Sequence, residues 1–489
     1  MKNELNLFDV FCQTVEKQPD RIAIYGPQDD RSYTYKELKE LIEKTADKLK
    51  QAGLHPGMTL GLHYESGVEY IVLTYAAWCC EASVVPIAVE LMPPEKRRIL
   101  NEIGLDLLVT EDNSLATFKD LINASNLGTL WKDIIITKLE NPRKHPEEFK
   151  HVNAAFLRFT SGTTGTSKGV ILSHKTIYER IHAANECLHI GPEDNIIWLL
   201  SMSYHFAVSI VAYLSFGASI ILCKNFFGST IVKTSVEKKA TMIYGSPIHY
   251  QLMSSTRDDV TLTTLRTAIS TTTALTQKVA RAFYERFNLQ LSEAYGIIEI
   301  GLPFINLNNT LDKPGSVGKL LPAYEMKLEE TSVDSDVKEI KLKGKGIIDA
   351  YYDPWTKRED ILNDGWFSTG DLGRLDDDGY LFIVGRSKEI INVGGMKCFP
   401  QEIESVLVSY PGVKEAVVYA QAHDRFGEVP SAQVVLKAGY DKTITEELLK
   451  DFCAERLEIL KVPERIKFAD ELERTASGKL IRKENPGTK

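Results

Sequence analysis

Every residue of 160–169 is a hydroxyl residue, a glycine or a single lysine: Thr160, Ser161, Gly162, Thr163, Thr164, Gly165, Thr166, Ser167, Lys168, Gly169. Glycine lets backbone N–H groups approach an anion closely, hydroxyls add donors and lysine adds charge, so this segment has the chemistry of a phosphate cradle. The strand-like Val170, Ile171 and Leu172 follow directly. A solvated Ser/Thr/Gly linker has the same composition, but it rarely carries a lysine abutting ordered structure. The Walker A spacing, Gly-x-x-x-x-Gly-Lys-Ser/Thr, occurs neither here nor elsewhere in the chain. Four further clusters draw notice: 293–299 with Glu293 and Glu299, 365–371 ending at Asp371, 385–389 with Arg386 and Lys388, and 474–479 ending at Lys479. Taken singly, a lysine near a C-terminus is surface, an aspartate after glycine is a turn and a tyrosine such as Tyr295 is core.

Elements able to position such residues are legible around them. Thr34 followed by Glu37 is a capping-box signature, and Leu38, Leu41, Ile42, Ala46 and Leu49 form an apolar stripe ending at Gly53. That spacing predicts an amphipathic helix. Strands are expected at 59–62 and 83–87 with a helix over 68–78 between them, hence a parallel sheet with crossover helices. The alternation continues through 241–244 and a helix near 276–287. After about 311 the chain turns to short strands and Gly-rich turns, as at 341–346 and 376–380, which predicts a β-rich subdomain over 311–385. The expected fold is α/β: a large N-terminal body of αβαβ-layered sheets over 1–385, then a small α+β domain over 386–489.

The 489 residues are 43% hydrophobic and 26% charged, a globular composition that excludes a disordered chain. The net charge of −9 argues against sequence-independent nucleic-acid binding and against an anionic membrane surface, but leaves small anionic ligands open. From Ile196 to Leu222 no Asp, Glu, Lys or Arg occurs. Serines, His205 and Gly217 interrupt that run, which reads as strand, buried helix, strand rather than as a membrane span. Seven scattered cysteines, with Cys79 and Cys80 vicinal, show no metal-ligand spacing and suit the reducing cytoplasm. No signal peptide is visible in the first residues.

The segment 160–170 resembles the signature of the acyl-adenylate-forming superfamily, which includes acyl-CoA synthetases, peptide-synthetase adenylation domains and beetle luciferases. The clusters at 294–299, 365–371, 385–389 and 474–479 follow in the family's order over most of the chain, and the sequence is most like acyl- or aryl-CoA ligases. The resemblance implies that a carboxylate attacks the α-phosphorus of ATP, giving an acyl-adenylate and pyrophosphate, and that the acyl group then passes to a thiol. Both reactants of the first step are anionic, so cations and Mg2+ are needed at the transition state. By resemblance Lys479 would bridge the carboxylate and the α-phosphate, and Thr160, Ser161, Gly162, Thr163, Thr164, Gly165 and Lys168 would hold the β- and γ-phosphates. Glu299 would carry Mg2+. Lys479, Thr160 and Glu299 are thus the implied catalytic set. Tyr295 would pack near adenine with Glu293 and Ala294 lining it, Asp371 would accept both ribose hydroxyls, and Arg386 would reach ribose or phosphate.

His205 stands where amino-acid-activating relatives have an aspartate for the substrate ammonium. The implied substrate is therefore a carboxylic acid without that ammonium, met by His205, Thr272 and Gly296; a satisfied core histidine is the other reading of His205. In relatives the C-terminal domain rotates about the position of Lys388 for the second half-reaction, and Gly394 and Gly395 would line the thiol tunnel. No appended carrier domain with a phosphopantetheine serine motif is visible, so the thiol belongs to free coenzyme A or to a separate carrier protein. Three departures stand out: Ile298 replaces the family's usual Thr, 270–275 is larger and β-branched where relatives have a small glycine-containing turn, and Glu473 replaces a proline. Ile298 keeps a further reading open, a nucleotide-binding protein that has lost turnover.

Overall fold

The computed structural model describes residues 4–27, 31–119, 128–131, 133–139, 143–159, 168–257, 260–330, 337–440, 443–474 and 480–482. Among these the chain forms two compact units, one built from most of residues 1–325 together with 343–365, the other from 326–342 and 366–489. The boundary expected at 385/386 thus falls inside the second unit.

The first unit holds two sheets of nine strands each among the described residues. In one, Ile22–Tyr25, Ser219–Leu222, Asn195–Trp198, Met242–Gly245, Thr267–Ser270 and Ser292–Ile297 run parallel side by side. In the other, Leu107–Glu111, Thr59–His63, Ser83–Pro86 and Ala154–Phe159 form the parallel centre. The crossover helices account for the parallel order, since parallel neighbours need long connections. Tyr35–Gln51 begins with the capping box: Glu37 N–H donates to Thr34 Oγ1 and Thr34 N–H donates to Glu37 Oε2. Such a cap stabilises a helix by about 1 kcal/mol. The helix Val68–Cys79 buries Tyr70, Tyr75 and Trp78 completely. A helix apolar on all sides belongs in an interior, and Trp78 packs edge-on against Phe156 of the second sheet and Phe206.

The uncharged run 196–222 resolves into Asn195–Trp198, the short helices Met202–His205 and Ile210–Ser215, and Ser219–Leu222. Among the described residues no helix is long and apolar enough to cross a membrane. All seven cysteines are free thiols.

The region 311–385 is divided between sheets. Tyr324–Glu329, Lys338–Gly344, Phe367–Leu375 and Leu381–Arg386 make a four-stranded sheet, whereas Ala350–Tyr351 pairs with Gly169–Ser173 in the second nine-stranded sheet. In the second unit a five-stranded sheet contains Val413–His423 and Gly427–Leu436 as its long antiparallel hairpin, the first at the sheet's edge. Ile403, Leu407, Leu449 and Cys453 of the helices Pro400–Ser409 and Glu446–Ala454 pack on its Val418 and Val434. This is the small α+β domain that the sequence leads one to expect.

Candidate active site

The parallel strands of the first sheet end together, and the ends of such strands are where α/β folds bind ligands. Register aligns Trp198 with Tyr244, Gly245 with Ser270, and Ser270 with Glu293. The rings of Trp198 and Tyr244 stack, with centroids 5.5 Å apart and planes within 5°. His205, the last residue of the short helix Met202–His205, lies edge-on 6.2 Å from Trp198 and 6.4 Å from Tyr244. His205 therefore belongs to a three-ring wall. Nothing in the sequence distinguishes Trp198, in the uncharged run, or Tyr244, in the strand Met242–Gly245, from an ordinary core residue.

Beside that wall, the turn after Thr267–Ser270 is held at several points. Thr271 N–H donates to Gly245 O at 3.0 Å, Thr271 Oγ1 donates to Ala294 O at 3.3 Å, and Leu275 N–H donates to Glu293 Oε1 at 2.9 Å. Thr272 in this turn has φ 78°, a left-handed conformation that a β-branched residue adopts only at a cost of about 1–3 kcal/mol. A glycine at this position would adopt the same φ without that cost.

Glu293 is buried, and burial pushes its carboxyl from the ordinary 4.5 up to about 7. The folded chain binds this proton more tightly than the unfolded chain, so stability falls as pH rises from about 4.5 to about 7. The loss is about 3 kcal/mol above that window. Glu293→Gln keeps an oxygen for Leu275 N–H and cannot ionise. Thermal unfolding of the two proteins at pH 5 and pH 8 is expected to show a smaller fall in midpoint for the variant; equal falls would place the proton elsewhere.

Glu299 follows the strand Ser292–Ile297 and is fixed through its backbone. Arg180, from the helix His174–Leu188, donates from Nη1 to Ile298 O and from Nη2 to Glu299 O, both at 2.8 Å, and from Nε to Gly346 O. Ile348 N–H also donates to Glu299 O, at 2.7 Å. The Glu299 carboxylate then meets the Tyr351 hydroxyl at 3.4 Å, and Lys168 Nζ stands 4.4 Å above the Tyr351 ring. Burial, with the Glu299 charge, pushes the Tyr351 phenol up, so it stays a donor. One tyrosine thus brings together a lysine and a glutamate from distant parts of the sequence. Neither Tyr351 nor Arg180 carries a local signal; both reach the site through long-range pairing. A single carboxylate beside a lysine fits Mg2+ held chiefly by phosphates and water, and among the described residues no three-ligand cluster offers a dedicated cage.

Gly296 has a backbone reason of its own, since a Cβ there would lie 2.3 Å from Gly301 O. Ala294 is buried, and Tyr295 is half-buried with its ring 6.1 Å from Phe304. Thr160, Ser161, Gly162, Thr163, Thr164, Gly165 and Lys479 lie outside the described residues.

In the second unit, Asp371 and Arg386 stand opposite each other on paired strands, and Arg386 Nε meets Asp371 Oδ1 at 2.9 Å. The carboxylate is only 4% exposed and the guanidinium 42%. Thr369 Oγ1 accepts from Asp371 N–H at 3.0 Å and itself donates to Ile340 O. Lys388 is exposed on a short 3-10 turn, Ser387–Glu389. Gly394 and Gly395, at φ 59° and 99°, form the two-residue turn between Ile391–Val393 and Met396–Cys398. Two successive positive φ angles are what such a hairpin demands of its glycines.

Sequence comparison matches the AMP-binding enzyme family over residues 11–352 and the AMP-binding enzyme C-terminal domain over 402–479. The 2-succinylbenzoate–CoA ligase of Bacillus licheniformis is 29% identical over 487 residues, covering 96% of this chain and 97% of the relative. The oxalate–CoA ligase of Arabidopsis thaliana is 27% identical, covering 96% and 95%. Among solved structures, o-succinylbenzoate CoA synthetase from Bacillus subtilis with its acyl-adenylate intermediate superposes with TM-score 0.83 at 24% identity, covering 98% of this chain and 97% of that one.

Proposed function

Because the chain belongs to the AMP-binding enzyme family, we propose that it is an AMP-forming carboxylic acid–thiol ligase that activates an acid lacking an α-ammonium and passes the acyl group to coenzyme A. A carboxylate oxygen bonds to the α-phosphorus of ATP while the bond from that phosphorus to the bridging oxygen breaks, and pyrophosphate leaves with the electron pair. The thiol sulfur then bonds to the acyl carbon, AMP leaves, and the thiol proton passes to solvent. The observation that carries this reading is the cluster of Glu299, Tyr351 and Lys168, held by Arg180 at the end of the sheet. Relatives of the same architecture, named as CoA ligases, support the thiol acceptor.

Mg2+, when bound, supplies positive charge to the phosphates, and Glu299 is its proposed ligand. Lys168 and 160–167 are proposed to hold the β- and γ-phosphates, Glu293, Ala294 and Tyr295 the adenine, Asp371 and Arg386 the ribose, and Lys479 the attacking carboxylate. His205, Thr272 and Gly296 are the proposed acid contacts, Lys388 the proposed hinge, and Gly394 and Gly395 the proposed thiol path. The rings of Trp198, Tyr244 and His205 supply no counter-charge, which supports an acid without an ammonium, because an unpaired buried ammonium is costly. The proposed place of work is the cytoplasm.

The test is acid-dependent pyrophosphate release from Mg-ATP across short, medium, aryl and α-amino acids, each with and without coenzyme A. Release stimulated by coenzyme A, with AMP and a thioester formed, is expected. Release indifferent to coenzyme A would transfer the acceptor role to a separate carrier protein, and ATP binding without release for any acid would favour the degenerate binder that Ile298 motivates.

A further inference from the structure

Tyr244 stands between two of the proposed acid contacts. The His205 ring lies 6.4 Å away, and Thr271, the neighbour of Thr272, donates its N–H to Gly245 O at 3.0 Å. Side chains alternate between faces along the strand Met242–Gly245. Ile243 joins the core made with Ile197 and Ile221, so Tyr244 lies on the opposite face, where its ring stacks on Trp198. Tyr213 of the helix Ile210–Ser215 backs that pair, edge-on 6.2 Å from Trp198. Trp198 and Tyr213 are each 2% exposed and Tyr244 8%, so the row is filled ground and Tyr244 is its outermost member. The other face of the strand end is closed as well. A Cβ on Gly245 would lie 3.3 Å from Leu199 Cδ1 and 3.4 Å from His249 Nδ1. That imidazole is held in place, since its Nδ1 accepts from Ser246 N–H at 3.1 Å.

We infer that Tyr244 is the residue that limits the length of the acid, and that the substrate is a short-chain carboxylic acid whose tail ends against this ring. This rests on the ligase reading above and narrows it from acids without an ammonium to short ones. Volume sets the limit. A close-packed interior admits an extra methylene only by forcing rotamers or backbone to shift. Neither neighbour of the tail is free to yield: the Tyr244 ring is backed by Trp198 and Tyr213, and the turn 271–275 is pinned through Thr271 to Gly245 and Ala294 and through Leu275 to Glu293. A tail long enough to pass Tyr244 would have to displace the stacked rings on one face of the strand, or Leu199 and His249 on the other. Thr271, Thr272 and Thr273 add β-branched bulk at the same strand end.

The test uses the full chain and its Tyr244→Ala, Tyr244→Leu and Tyr244→Phe variants. It compares kcat/KM for acid-dependent pyrophosphate release with acetate, butyrate, hexanoate, octanoate, decanoate and 3-phenylpropanoate. Calorimetric binding of Mg-ATP and thermal unfolding are measured alongside. Wild type is expected to be fastest with acetate or butyrate and at least about 10-fold slower with octanoate, the least that one unaccommodated methylene costs. The alanine and leucine variants are expected to raise octanoate against butyrate by about 10-fold or more, with Mg-ATP affinity unchanged. The phenylalanine variant keeps the ring and is expected to keep the wild-type ranking. Should the alanine variant lose its unfolding transition, the leucine variant and the wild-type ranking decide. A wild type that ranks octanoate, decanoate or 3-phenylpropanoate above butyrate overturns the inference. So does a loss in the variants that is equal for all acids, which marks a structural tyrosine. A wild type that binds no Mg-ATP removes the ligase reading itself, whereas one that binds Mg-ATP and turns over none of these acids overturns this inference alone.

Discussion

Replacing Lys479 with alanine is expected to lower acid-dependent pyrophosphate release about 10²- to 10³-fold, the scale of losing one preorganised charge at a transition state. Thioester formation from a supplied acyl-adenylate is expected to stay within a few-fold of wild type. The asymmetry follows from the charges. In the first half-reaction two anions must meet at phosphorus, and a lysine touching both relieves the repulsion; in the second a thiol meets a neutral acyl carbon. The flanking residues are well anchored, so the substitution removes charge and leaves the framework. Ile481 N–H donates to Glu473 O at 3.0 Å, and Leu480 packs on Val417, Val435 and Leu472. Arg482 pairs with Glu389 and with Glu404, each at 3.0 Å. Single-turnover assays of the two half-reactions decide the matter: equal losses in both would refute the role given to Lys479.

The second large effect is expected at Asp371. Asp371→Asn should reduce kcat/KM for ATP about 100-fold, the combined scale of weakened charge-assisted acceptors and of a lost ion pair. The carboxylate is nearly inaccessible to water and already engages Arg386 at 2.9 Å. In the variant Arg386 faces a neutral amide, so the ion pair that orders the two side chains is lost. Dideoxy-ATP supplies the control. If Asp371 reads the ribose hydroxyls, wild type discriminates strongly against the dideoxy nucleotide and the variant hardly does, because the two losses share one interaction. A variant that keeps full discrimination would show that the hydroxyls are read elsewhere.

Both expectations rest on residues that the linear sequence points to, and the fold shows why those were visible. Asp371 and Arg386 fall in separate motifs, yet they are facing residues of one antiparallel pair, so the motifs are spaced by a hairpin. Thr34 and Glu37 announce their helix because a capping box is satisfied within four residues. The run 196–222 was legible as strand, helix, strand because serines and glycine interrupt it at intervals suited to those elements. What escaped has the opposite character. Arg180 reaches Glu299 across 119 positions and Tyr351 across 52, and nothing local distinguishes this arginine on a helix or this tyrosine on a short strand. The β-rich stretch expected over 311–385 is divided between sheets: its Ala350–Tyr351 strand joins the second nine-stranded sheet, since pairing partners are chosen by tertiary register.

Residue types and short spacings supply the chemistry available to this protein: a hydroxyl- and glycine-rich segment with one lysine at 160–169, carboxylates at 299 and 371, cations at 386 and 479, and an α/β frame whose periodicities can present them. These are local properties, set by residue type, short spacing and the periods of helix and strand. Tertiary structure alone decided which groups meet and in what state. It aligned Trp198 with Tyr244, buried Glu293 until its carboxyl holds a proton near neutrality, and set Thr272 in a strained turn. It also gave Arg180 a carbonyl for each of its three nitrogens. Desolvation, register and hydrogen-bond saturation depend on neighbours brought from distant parts of the chain, and it is these that turn a set of reactive residue types into a site.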